Sequence, residues 1–171
     1  MTDYALSEFD VQKVAGFKVP VMKYSEIQKY NNINQLLGNK GAVILLYEWK
    51  QNMGHWCCCF KSPEGIEFFD SFGYEPDNED DFIPVNLQKK FKLDRHLSYL
   101  LSKTDLPLHY NEFILQDKKS NTCGRWVAWR LRNRHQDLYK FVKPFEKYYE
   151  QGYQPDELII QLTEPYLKNK K

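Results

Sequence analysis

No stretch of this sequence approaches the roughly 18 consecutive apolar residues of a membrane span. The opening Met1-Thr2-Asp3-Tyr4 has neither the basic nor the apolar region of a secretory signal. Charge of one sign is missing too. The 24 Lys and Arg nearly cancel the 23 Asp and Glu, leaving a formal charge of +1. That balance argues against a dedicated nucleic-acid binder and leaves only a local basic patch open. Cysteine is scarce and oddly placed: Cys57, Cys58 and Cys59 are consecutive, and Cys123 stands alone. Consecutive cysteines point to alternate faces of a strand, so they suit neither a secreted disulfide framework nor a shared zinc site. They read as reduced, buried thiols. Repeats, linkers and low-complexity segments are also absent, which gives a single domain over residues 1–171.

What is present suffices for a core: 42% of residues are hydrophobic and 16% aromatic. Residues 6–15 predict a short helix with Ser7 as cap and Gly16 as stop. Val19-Pro20-Val21 is extended, and Ser25 to Leu37 carries apolar residues at helical spacing in two short pieces. The continuous run Ala42 to Tyr47 predicts a central strand. After a turn over Lys50 to Gly54, His55–Phe60 and Ile66–Asp70 predict a hairpin closed by Ser62-Pro63-Glu64-Gly65. Glu75 to Asp81 reads as a solvated acidic loop, or as a rim that selects partners. Helices are expected over Pro84–Phe91, Asp94–Lys103, Cys123–Arg134, Asp137–Gly152 (with Pro144 as a kink point) and Asp156–Leu162. Leu108 to Leu115 predicts a strand ending at Gln116, and Lys168 to Lys171 a frayed tail. Helices, a strand cluster, and helices around one further strand imply an α+β domain rather than a doubly wound one.

Cys123 falls where a polar loop gives way to a helix, and a helix N-terminus stabilises a thiolate. A cysteine nucleophile also needs a base, a group to orient it, oxyanion donors and a groove. His55 is the candidate base. Asp70 ends the neighbouring hairpin strand, where its carboxylate can accept from the imidazole and fix its tautomer. Gln116, with the backbone N–H of Cys123, is the candidate oxyanion hole.

Gly-His-Trp at 54–56, the aromatic-flanked Asp-Ser-Phe-Gly at 70–73 and Gln-x6-Cys-Gly from 116 to 124 occur here in that order. Together, over roughly residues 40 to 135, they resemble the adenovirus maturation protease and its relatives, the SUMO-deconjugating cysteine proteases. The compact length is most similar to the small viral members, of the virophage capsid-maturation type. The resemblance implies a papain-like α+β fold, with a central mixed sheet flanked by helices. It implies a catalytic set of His55, Asp70, Gln116 and Cys123. The SUMO proteases carry Asp at the position of Asp70, and adenovirus carries Glu. It implies that Trp56 roofs a narrow channel admitting a glycine-rich segment, since an indole roof rejects any Cβ; core packing is the other role open to Trp56. The implied activity is cleavage after glycine, at Gly-Gly or Gly-X-Gly sites of capsid proteins, through an acyl-enzyme thioester. The implied setting is the virion and the cytoplasm of the infected cell.

The chain departs from the adenovirus enzyme in one respect: no cysteine lies between Cys59 and Cys123. A disulfide-linked peptide cofactor is therefore not expected, and no other cofactor or metal is implied. Arg125, Arg130, Arg132 and Arg134 form a basic cluster, read as a solvated helix face or as a DNA contact. His109 is the rival base, close to Gln116 in sequence but without a paired acid; His96 and His135 are weaker rivals. Cys57, Cys58 and Cys59 sit mid-strand, where burial works against a nucleophile. Alternative readings are deconjugation of a ubiquitin-like tail, acyl transfer by the same residue set, and a non-catalytic binding protein of the same fold.

Overall fold

The computed structural model describes residues 4–78 and 83–168. Five strands form one mixed sheet in the order β1-β2-β3-β4-β5: Val21–Lys23, Ala42–Lys50, Met53–Ser62, Gly65–Phe69 and Leu108–Tyr110. The central pairs β2–β3 and β3–β4 are antiparallel, and the outer strands β1 and β5 run parallel to their neighbours. Seven α-helices and a 3₁₀ helix (Tyr24–Lys29) flank the sheet among the described residues: α1 (Glu8–Ala15), α2 (Ile33–Leu37), α3 (Val85–Lys90), α4 (His96–Ser102), α5 (Cys123–Arg132), α6 (Leu138–Glu150) and α7 (Pro155–Leu167). This is the α+β arrangement expected from the sequence. None of these helices is long and apolar enough to cross a membrane.

The two-residue period of the strands divides the apolar residues between two cores. Ala42, Ile44, Cys58, Phe60 and Phe69 face α1, α5, α6 and α7. Val43, Leu45, Tyr47, Cys57, Cys59, Ile66 and Phe68 face the 3₁₀ helix, α2, α3 and α4. The three cysteines thus alternate across β3, fully buried. In α5, the expected core residues Trp126, Val127, Ala128 and Leu131 are all buried. Ser7 caps α1 through a reciprocal pair with Asp10, and Gly16 ends it.

Several expectations change. The predicted strand over 108–115 stops at Tyr110, because Asn111 turns the chain away. Its buried amide donates to the carbonyls of Asp70 and Phe113 and accepts from the Phe113 N–H, at 2.7, 2.9 and 3.0 Å. The last helix runs on to Leu167, through Pro165, and α6 runs unbroken through Pro144. In the acidic segment, Asp77 is buried rather than solvated. It accepts from Tyr47 Oη and from the N–H and Oγ of Ser98, joining β2 to α4. Positions 79–81 of that segment, like 169–171 of the tail, lie outside the described residues.

Two of the four arginines of the basic cluster turn inward, and Arg132 and Arg134 stay partly exposed. Arg125 and Arg130 are buried. Arg130 binds Glu67 through Nε and Nη2 at 2.8 and 2.9 Å and caps the carbonyls of Asn133 and Gln136. A bidentate pair of this kind ties α5 to β4, and removing one partner strands the other charge.

Candidate active site

The site lies at the end of the sheet where β3 begins and β4 finishes. Gly54 is the second residue of β3, beside a register shift between Glu48 and Lys50. A Cβ at Gly54 would run into the Tyr47 carbonyl, so only glycine lets the strands close there and deliver His55. The neighbouring strand β4 ends at Phe69, opposite Cys58, one residue short of the expected Asp70, which directly follows it. The chain then turns back at Gly73, whose φ of 77° favours glycine and whose N–H returns to the Asp70 carbonyl.

His55 and Asp70 meet as expected. His55 Nε2 lies 3.0 Å from Asp70 Oδ1, both side chains buried. The same Oδ1 accepts the Phe72 N–H at 2.7 Å, and Oδ2 accepts the Cys57 thiol at 3.3 Å. With Nε2 held by the carboxylate, Nδ1 is the ring nitrogen left over, and the ring and Cys123 line the same groove. Burial disfavours a charged ring. The Asp70 charge and hydrogen bond, aided by Cys123, outweigh it and push His55 up to about 10. Phe72 stacks on the imidazole, with ring centroids 4.6 Å apart and planes 21° apart.

Gln116 and Cys123 come from the segment after β5. The N–H groups of Leu115 and Gln116 both donate to the Ser71 carbonyl. The six residues that follow are held by Asp156, in the first turn of α7. Its carboxylate accepts from the Asp117 N–H at 2.7 Å, Ser120 Oγ at 3.0 Å, Thr122 Oγ1, and Trp126 Nε1 at 3.3 Å. Cys123 then opens α5. The helix sits close to α1 and β3: a Cβ at Gly124 would lie 3.2 Å from Leu6 and Val11 and 3.3 Å from Trp56.

His55, Trp56, Phe72, Gln116 and Cys123 line one groove of about 670 Å³, which Trp49 and Met53 border from the β2–β3 turn. Trp56 is partly buried, packing against the core on one side and lining the groove on the other. The rival bases lie elsewhere. His109, on edge strand β5, meets the Glu64 carbonyl at 3.2 Å, and His96 meets that of Tyr30 at 2.9 Å.

His55, Cys57 and Asp70 also offer metal-ligand atoms within 4.8 Å of one another. Their present pairing works against a metal. Burial, then the Asp70 charge, pushes the Cys57 thiol well above its usual range. It serves as a donor to Asp70 rather than as a thiolate ligand.

Sequence reasoning missed Ser71, Phe72, Cys57, Asn111 and Asp156. The first two stand inside the Asp-Ser-Phe-Gly motif. Nothing in the sequence pointed from Asp156 to a loop more than thirty residues earlier.

No protein-family profile matches the chain. The uncharacterized protein V9 of Sputnik virophage is 40% identical over 166 residues, covering 93% of this chain and 94% of the relative. The chain belongs to the family of that virophage protein. Among solved structures it is similar to the C-terminal ULP1 protease domain in complex with SMT3, the yeast orthologue of SUMO. That likeness has a TM-score of 0.38 and 16% identity, over 93% of this chain and 78% of that one.

Proposed function

We propose that this chain is a cysteine endopeptidase that cleaves after glycine, and that its substrates are viral structural proteins processed as the capsid matures. The observation that carries the reading is the His55 ring. Asp70 holds its Nε2, it lines one groove with Cys123, and it is pushed up to about 10. An imidazolium paired with a thiolate at a helix start is the nucleophile–acid combination of thiol hydrolases. The virophage relative supports a viral setting, and the helix-flanked mixed sheet with α5 against it is consistent with a papain-like arrangement.

In the proposed reaction, Cys123 Sγ attacks the carbonyl carbon of the glycine that precedes the scissile bond. Gln116 Nε2 and the Cys123 N–H stabilise the oxyanion. As the peptide C–N bond breaks, Nδ1–H of His55 gives its proton to the leaving amine. Neutral His55 then takes a proton from water, whose oxygen attacks the thioester; the thiolate leaves and the imidazolium returns. Asp70 stabilises the charged ring throughout. Trp56 covers the groove beside Cys123, where it would exclude a side chain and favour glycine. The proposed place of action is the infected cell and the assembling particle.

The test is co-expression of the chain with candidate capsid proteins, wild type against Cys123→Ala, with mass spectrometry of the new termini. Cleavage after glycine is expected with the wild type alone. Cleavage retained by a folded Cys123→Ala variant would sink the assignment, and cuts confined to a ubiquitin-like tail would move it to deconjugation.

A further inference from the structure

Ser71 has no role in the reaction just described, yet it touches the oxyanion glutamine twice. It is fully buried in the turn after Asp70. Its carbonyl accepts the Gln116 N–H at 3.0 Å, and its Oγ donates to Gln116 Oε1 at 2.6 Å. At its other end the amide donates from Nε2 to the Ser120 carbonyl at 3.1 Å. A carbonyl can only accept, so the nitrogen must face Ser120, and the hydroxyl must donate to the oxygen. The two contacts therefore agree on a single orientation of the amide.

We propose that Ser71 is a positioning residue that clamps Gln116, holding its amide oxygen away from the reacting carbonyl and one Nε2–H free for the oxyanion. The clamp acts in two ways. It removes the swing and flip that would turn an acceptor toward developing negative charge. It also polarises the amide, because a hydroxyl donating to Oε1 makes the Nε2 hydrogens stronger donors. The consecutive residues Asp70 and Ser71 thus contact the base and the oxyanion donor from one turn. This inference rests on the protease reading for its effect on rate, though not for the clamp itself.

The test combines steady-state cleavage of a glycine-containing peptide with NMR of the Gln116 side-chain amide, in the full chain. Ser71→Ala should lower kcat about tenfold to hundredfold with KM unchanged, less than removal of the donor itself. Ser71→Thr, which keeps the hydroxyl, should restore most of the rate. In a Gln116→Ala background, Ser71→Ala should cost nothing further, because the group it positions is gone. An independent loss in the double variant, or a wild-type kcat for Ser71→Ala, would overturn the proposal. Should Ser71→Ala fail to fold, Ser71→Cys supplies a weaker donor, and wild-type kcat there would count equally against the clamp. A wild type that cleaves no peptide refutes the protease reading instead. The clamp is then judged by whether Ser71→Ala shifts the Gln116 Nε2 proton resonances, and unchanged resonances would overturn it.

Discussion

His55 lies on β3 and Asp70 directly follows β4 of the same hairpin, whereas Gln116 and Cys123 come from a loop and the helix it feeds. The first pair inherits its spacing from the backbone ladder of β3 and β4. A ladder is cooperative, and here it is buried on both faces. The second pair has no ladder behind it. Between Gln116 and Cys123 the chain is irregular, and its shape depends on side chains from elsewhere: Ser71 above it and Asp156 of α7 beneath it. Side chains are fixed in one place by secondary structure and in the other by a few buried hydrogen bonds. The second construction should be the easier one to loosen without unfolding the protein.

The largest test of that comparison breaks the hairpin pair. His55→Ala removes both the acid and the partner of Cys123, and cleavage should fall below detection in the same mass-spectrometric assay. Asp70→Asn should come next, lowering kcat by up to about 10⁴-fold, the scale set by the equivalent change in a serine triad. It should also move the alkaline limb of the pH–rate profile. In the wild type, activity should persist until the imidazolium is lost near pH 10. Without the Asp70 charge, burial is opposed by Cys123 alone and the limb should retreat toward neutrality.

Asp156→Ala tests the loop pair. It should reduce kcat by about 10²–10³, comparable to losing an oxyanion donor. Amide hydrogen exchange should speed up over 117–122 and stay slow over β3 and β4. Equal exchange in both regions would erase the distinction between them. Phe72→Leu is the smallest perturbation: losing the stacked ring over the imidazolium should cost about 1 kcal/mol, roughly fivefold in rate.

The pH dependence of stability sharpens the same contrast. The folded-state value of His55 lies above its ordinary 6.5. Its contribution to stability is therefore complete below about 6.5 and is lost as pH rises toward 10. Thermal melts of the wild type should decline across that window, and those of His55→Ala should decline less.

What could be read from the sequence followed the same division. The apolar run of β2, the hairpin and the α5 core stripe were legible because periodicity and turn residues speak for elements that stand on local order. Cys123, His55, Asp70 and Gln116 were legible as candidates because their motifs are compact. Strand β5 was read too long: its apolar residues continue past Tyr110, but the side chain of Asn111 competes for the backbone and wins. From the sequence the arginines of α5 suit a solvated face or a DNA contact, because charge alone does not reveal a buried partner, and Glu67 lies 63 residues from Arg130. Asp156 and Asp77 were illegible for the same reason. Each looks like an ordinary surface acid, and only the fold brings its donors to it.

The burial of Cys57, Cys58 and Cys59 has a practical consequence. In the folded protein these three thiols are out of reach of solvent, while Cys123 borders the groove. A small alkylating reagent should therefore add once to a native molecule and four times to an unfolded one. Intact mass after a brief exposure would count native molecules and denatured ones in a single spectrum. The chain carries its own active-site titrant and its own unfolding clock, with no tag or engineered label required.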